Sequence, residues 1–101
     1  MAADTLRTPD VDELLAALLT LRDPDEVYAF LEDVCTVREI KELASRLAVA
    51  RMLDEGRHYT EIEQATGASS TTISRVSRAL NYGADGYRTV LSRLAGSEGG
   101  K

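Results

Sequence analysis

The chain has no tryptophan, one phenylalanine, one cysteine (Cys35) and one histidine (His58). A lone cysteine cannot close an internal disulfide or build a thiolate metal cluster. Cys35 is therefore read as a small buried residue of a helical core. One histidine, one cysteine and no glycine-rich phosphate loop leave no catalytic constellation, so an enzyme is not expected. His58, next to Tyr59, is read as a surface residue. No metal or other cofactor is implied. The longest apolar run, Leu14 to Leu19, has six residues, against the roughly 20 needed to span a bilayer. No membrane association is expected. The opening MAADTLRTPD lacks a basic start followed by an apolar stretch. A secretory signal is therefore not expected, and a cytoplasmic location is.

What is present is leucine, alanine and charge. With 101 residues, 44% of them hydrophobic, the chain fits one small globular domain. A domain of this size buries a modest share of its surface, so a core shared with a second copy would help it. Net charge is −5, which taken alone opposes binding to nucleic acid. The charge is unevenly spread. Residues 1–34 hold nine acids and two bases, whereas residues 67–101 hold two acids and five bases. DNA responds to the local field of a docking face, because screening removes charge beyond about 8–10 Å. An acidic body with a basic reading end is compatible with DNA, and equally with a protein partner.

Helix signals recur along the chain and strand alternation does not. Thr8-Pro9 and Asp23-Pro24 each combine an N-cap with proline at the first helical position. Val11, Leu14, Leu15, Leu18 and Leu19 follow the first, and Val27, Phe30, Leu31 and Val34 the second, at helical spacing. Leu21 widens the first stripe beyond what one neighbour would cover. Thr36-x-x-Glu39 is a capping box opening the longest helix, which Gly56 ends. Thr60-x-x-Glu63 matches the same pattern and predicts a helix starting at Thr60 and running to Thr66. A further helix carries Ile73, Val76 and Leu80, and a final one runs from about Asp85 or Gly86 to Leu94. The expected organisation is a flexible N-terminus over residues 1–7, one helical domain over 8–95 and a flexible tail over 96–101.

Function is concentrated between residues 60 and 80. A short helix, a glycine-centred turn at Gly67 and a second helix form a helix-turn-helix arrangement. Glycine permits the backbone angle of the turn. Ile62, Ile73 and Val76 can lock the two helices together, leaving the start of the second free to enter a major groove. That start reads Ser69-Ser70-Thr71-Thr72-Ile73-Ser74-Arg75. Serine and threonine are mediocre helix formers, but they suit phosphate and base-edge contacts. Arg75 suits a guanine edge or a phosphate, and Arg78, one turn on, the DNA backbone. The candidate DNA-binding residues are Thr60, Ser69, Ser70, Thr71, Thr72, Arg75 and Arg78. The same hydroxyls also make an ordinary cap, and the same arginines an ordinary solvated face. Glu63, four positions before the turn glycine, stands where many such motifs have a small residue.

The order of helices and the stretch SRLAVARMLDEGRHYTEIEQATGASSTTISRVSRAL resemble the Trp repressor superfamily, and within it the Trp-repressor-like YerC/YecD group. The resemblance covers about residues 10–94 and is most specific from Arg46 to Leu80. It implies an all-α, six-helix fold whose helices interlock with those of a second chain into an intertwined homodimer. It also implies a transcription regulator, most simply a repressor, of double-stranded DNA. On that reading the partner chain buries the apolar excess of the first two helices. The segment Thr71 to Arg75 matches the family pattern ATITR, which places Ser70, Thr71 and Thr72 at base edges. Thr60 and Glu61 fall near the DNA backbone, where a glutamate would be repelled. Arg46 and Arg75 match the two arginines that hold the tryptophan corepressor. Val76, however, falls where the repressor has glycine, and Ala79 where it has serine. Valine would occupy space that the indole needs, and alanine removes a hydrogen bond to the ligand amine. A tryptophan corepressor is therefore not expected, and Arg46 would pair with an acid or contact phosphate. The competing reading is a protein-interaction module that keeps the helix-turn-helix shape and docks a partner on its acidic N-terminal region.

Overall fold

The computed structural model describes residues 6–99, with side chains described through residue 96. Residues 1–5 of the expected N-terminal segment and 100–101 of the expected tail lie outside the described residues. Among the described residues six helices follow in order: α1 (Pro9–Leu18), α2 (Pro24–Val34), α3 (Val37–Asp54), α4 (Tyr59–Thr66), α5 (Ser70–Tyr82) and α6 (Gly86–Gly99). There is no strand among the described residues. Within the span expected as one domain, the chain divides into two compact units, Met1–Ile40 and Lys41–Lys101.

Local chemistry accounts for most of the helix ends. The Thr8 hydroxyl accepts the Val11 N–H at 3.2 Å, and the Asp23 carboxylate accepts the Glu26 N–H at 2.9 Å. Each follows the expected pattern, with proline next in sequence. The Thr36 capping box closes both ways: Glu39 N–H donates to Thr36 Oγ1 at 3.1 Å, and Thr36 N–H donates to Glu39 Oε1 at 2.8 Å. Past the end of α3, Gly56 has φ +84. Its N–H reaches Leu53 O at 3.0 Å, and Arg57 N–H reaches Met52 O at 3.0 Å. This pair of bonds is the glycine-dependent stop that satisfies helix-end carbonyls.

Three local expectations are corrected. The fourth helix starts at Tyr59 with His58 as N-cap and no side-chain cap bond, so Thr60 lies inside the first turn and caps nothing. Cys35 is not in a helical core: it is the half-buried residue that ends α2, in extended conformation. The last helix continues to Gly99, past the Leu94 expected from its apolar pattern.

The two units differ in their cores. In the first, α1 and α2 bury no residue. Leu14, Leu15, Leu18, Val27, Tyr28 and Val34 are exposed, and Leu19 is 86% exposed. In the second, Val49, Ala50, Met52, Ile62, Ile73, Val76, Leu80 and Leu91 form one buried cluster. Val49 on α3, Ile62 on α4 and Ile73 on α5 are fully buried. Burying side chains of this kind stabilises by roughly 1.5–3 kcal/mol each. This cluster ties α4 and α5 to α3 and so fixes the scaffold of the helix-turn-helix.

Candidate nucleic-acid interface

Between α4 and α5 the chain turns at Gly67, whose φ is +75. Its N–H donates to Glu63 O at 2.8 Å. The Thr66 hydroxyl donates to Ile62 O at 2.7 Å and accepts the Ala68 N–H at 3.1 Å. The turn is thus closed by backbone and side-chain bonds, and the half-buried Glu63 takes part through its carbonyl.

The first turn of α5 divides its hydroxyls into two groups. Ser69 is the N-cap: its Oγ accepts the Thr72 N–H at 3.2 Å and donates to Thr72 Oγ1 at 3.2 Å. Both functions of the Ser69 hydroxyl are therefore engaged within the chain, and Thr72 is half-buried. Ser70, Thr71, Ser74, Arg75 and Arg78 are exposed and together line a shallow patch of about 300 Å³. Among the described residues neither Arg75 nor Arg78 makes an ion pair. Residues 64–84 contain no acidic residue, so no carboxylate on α5 itself offsets the two guanidiniums.

Of the sequence-predicted residues, Ser70, Thr71, Arg75 and Arg78 are brought together. Ser69 and Thr72 serve the cap. Thr60 is exposed on α4 and stands outside the patch. The residue missed was Ser74. It is four positions after Ser70 and four before Arg78, a spacing that puts all three on one helical face. Its neighbours Ser77 and Tyr82 continue the surface, with Tyr82 at 87% exposure. Glu61 has a local answer to its charge: Arg57 Nε lies 2.9 Å from its Oε2, and Arg57 Nη1 lies 3.4 Å from Glu55 Oε1.

Behind the patch, Arg46, Thr72, Arg75, Val76, Ala79 and Tyr87 line an open pocket of about 300 Å³. All four residues expected there are present, and Thr72 and Tyr87 add hydroxyls. Val76 is 4% exposed and belongs to the buried cluster, yet the pocket is not filled. Arg46 makes no ion pair among the described residues, so of the two roles expected for it, pairing with an acid is not seen. Arg75 borders both the pocket and the outer patch.

Comparison with known proteins agrees with this geometry. The profile of the family described as Trp repressor protein matches residues 9–95. The uncharacterised protein YerC of Bacillus subtilis (strain 168) is 51% identical over 98 residues, covering 97% of this chain and 94% of YerC. The crystal structure of a TrpR-like protein from Eubacterium eligens ATCC 27750 superposes with a TM-score of 0.87 at 54% identity, covering 90% of this chain and 94% of that one. A candidate Trp repressor from Staphylococcus aureus superposes with a TM-score of 0.88 at 48% identity, covering 93% and 94%. The all-helical fold, its helix-turn-helix and these matches over nearly the full length lead to one assignment: the chain belongs to the Trp repressor protein family.

Proposed function

We propose that the protein is a sequence-specific, double-stranded-DNA-binding transcription regulator that acts as a homodimer. The observation that carries this is the exposed start of α5. Ser70, Thr71, Ser74, Arg75 and Arg78 form one face there, free of carboxylates, on a helix held by buried Ile73, Val76 and Leu80. Short hydroxyls and arginine on a rigid helix are what base-edge and phosphate contacts require. Thr71 and Ser70 read base edges, Arg75 reaches a guanine edge or a phosphate, and Arg78 contacts the backbone. Thr60 is assigned a peripheral backbone contact. Ser69 and Thr72 act indirectly, by fixing the helix start.

The dimer rests on the apolar surface of the first unit. Of fourteen large apolar side chains exposed among the described residues, nine lie in the first unit. A soluble chain that presents this much apolar surface in one region has a partner for it, and a second copy is the partner the family provides. The helices that pair would also set the spacing of two reading heads.

Tryptophan is not assigned as effector. Val76 and Ala79 stand where the corepressor site has glycine and serine, so in the open pocket they line a valine side chain faces the place of the indole and the serine hydroxyl that would meet the ligand amine is gone. The function is tested by fluorescence anisotropy of the purified protein with genomic duplexes at increasing salt. Binding that weakens steeply with salt and is reduced by Arg75→Ala supports it. Absence of binding to any fragment at low salt contradicts it. Indifference to Arg75→Ala, with sensitivity to changes between Asp10 and Glu26, would instead favour a protein-docking module.

A further inference from the structure

Arg88, in the first turn of α6, bonds to the ends of two other helices. Its Nη1 donates to Asp54 Oδ1 at 2.7 Å, its Nη2 to Asn81 Oδ1 at 2.9 Å and its Nε to the Leu80 carbonyl at 3.2 Å. Asp54 is the last residue of α3, and Leu80 and Asn81 lie in the last turn of α5. The last carbonyls of a helix have no partner within it, and a cation is favoured beside them. Arg88 supplies both a donor and a charge. Asn81 is itself oriented, because its Nδ2 donates to Ser77 O at 3.0 Å.

The link between α5 and α6 needs such a brace. A Cβ at Gly83 would collide with the carbonyl of Ala79. Asp85 sits at φ +69, a left-handed conformation for a residue that has a side chain. Sparsely populated backbone conformations persist where the surroundings over-determine them. Two of the bonds of Arg88, to Leu80 and Asn81, span this link and return α6 to the end of α5, and the third joins both to Asp54 at the end of α3. The Arg88 and Asp54 side chains are 45% and 44% exposed, and an exposed ion pair adds little to global stability. What a planar fork with three directed bonds provides is orientation, which a lysine cannot reproduce.

We propose that Arg88 is a positioning residue for the DNA-reading helix. It fixes α5 against the end of α3, sets the direction in which Ser70 to Arg78 are presented, and does not itself touch DNA. This rests on the DNA-binding reading above. Other exposed arginines lack this arrangement: Arg7 and Arg57 pair only with acids close by in sequence.

The test uses the full chain with Arg88→Met and Arg88→Lys, at a temperature where each is folded by circular dichroism. Affinity is measured over a salt series for the duplex enriched by selection with the wild-type protein and for a random duplex of equal length. Amide exchange along α5 is measured without DNA. Positioning predicts a loss of about three- to thirty-fold on the selected duplex for both variants, with no change on the random duplex and an unchanged salt slope. It also predicts faster exchange at the C-terminal end of α5. Equal losses on both duplexes with the salt slope reduced by about one would mark Arg88 as a phosphate contact and overturn the proposal. Unchanged exchange in Arg88→Met overturns it even if the wild-type protein binds no DNA, so failure of the clamp and failure of the DNA reading are separable. Should Arg88→Met not fold, Asn81→Ala removes one of the three bonds and is read in the same way.

Discussion

The Ser69 hydroxyl accepts the Thr72 N–H at 3.2 Å and lies 3.2 Å from the Thr72 hydroxyl, so the two side chains begin α5 together. Replacing Ser69 by alanine removes the cap and is expected to lower stability by about 1 kcal/mol. Ser69→Asp keeps a good cap, so its thermal midpoint should stay near wild type while its DNA affinity falls through repulsion of phosphate. Thermal melts beside anisotropy titrations check both. Equal DNA affinity for Ser69→Asp and wild type would remove Ser69 from the neighbourhood of the DNA.

Arg75 is exposed and has no ion-pair partner among the described residues. Arg75→Ala should therefore change stability by no more than about 0.5 kcal/mol. It should cost about 1–3 kcal/mol of binding if Arg75 meets a base edge, with loss of discrimination at that position. If it meets phosphate, the loss should be uniform across sequences and the salt slope should fall by about one. A binding series over single-base variants of the site separates the two.

How far these contacts were legible in the sequence depends on their range. The caps at Thr8, Asp23, Thr36 and Ser69 join residues three apart, and each could be read from a few letters. The turn at Gly67 was equally local, since only glycine takes its backbone angle without penalty. Thr60 misled because its capping-box spacing is present while the helix begins one residue earlier, capped by His58 without a side-chain bond. The small apolar character of Cys35 suits a core, whereas its backbone is already extended at the end of α2. Ser74 is hard to read from the letters because the run of consecutive hydroxyls masks the four-residue period that puts it beside Ser70 and Arg78. The Arg88 clamp could not be read at all: Arg88 and Asp54 are 34 residues apart, and no pattern of letters pairs them.

The exposed leucines of α1 give a direct expectation for assembly. Leu14, Leu15 and Leu18 are each about 40% exposed and share a helical stretch that buries nothing in its own chain. Wild-type protein should sediment as a dimer, with a melting temperature that rises with protein concentration. Leu14→Glu with Leu18→Glu should abolish that concentration dependence and shift the mass to a monomer or an unfolded chain. A wild-type monomer at high micromolar concentration would contradict the dimer.

Gly67 tests the turn between α4 and α5. Nothing lies within 4 Å of a Cβ built there, so Gly67→Ala meets no clash and only its φ of +75 opposes it. The expected loss is about 1–2 kcal/mol, or roughly 4–16 °C in melting temperature for a domain of this size. Gly67→Asn, which tolerates the left-handed region better, should recover part of the loss. Equal melting temperatures for wild type and Gly67→Ala would show that the turn does not require glycine.

Val76 and Ala79 bear on the effector. L-Tryptophan at millimolar concentration should leave DNA affinity unchanged and give no saturable heat in calorimetry. Tryptophan-dependent tightening of DNA binding would show that the pocket of Arg46, Arg75, Val76 and Ala79 still accepts the indole.

Whether two copies of the α4–α5 unit read DNA together is tested most directly by selection of genomic fragments with the purified protein. The prediction is an enriched, two-fold-symmetric site with half-sites about one helical turn, ~34–36 Å, apart or a multiple of it, bound with strong salt dependence and weakened by Arg75→Ala. No enriched fragment at low salt, or enrichment unaffected by Arg75→Ala, would contradict it.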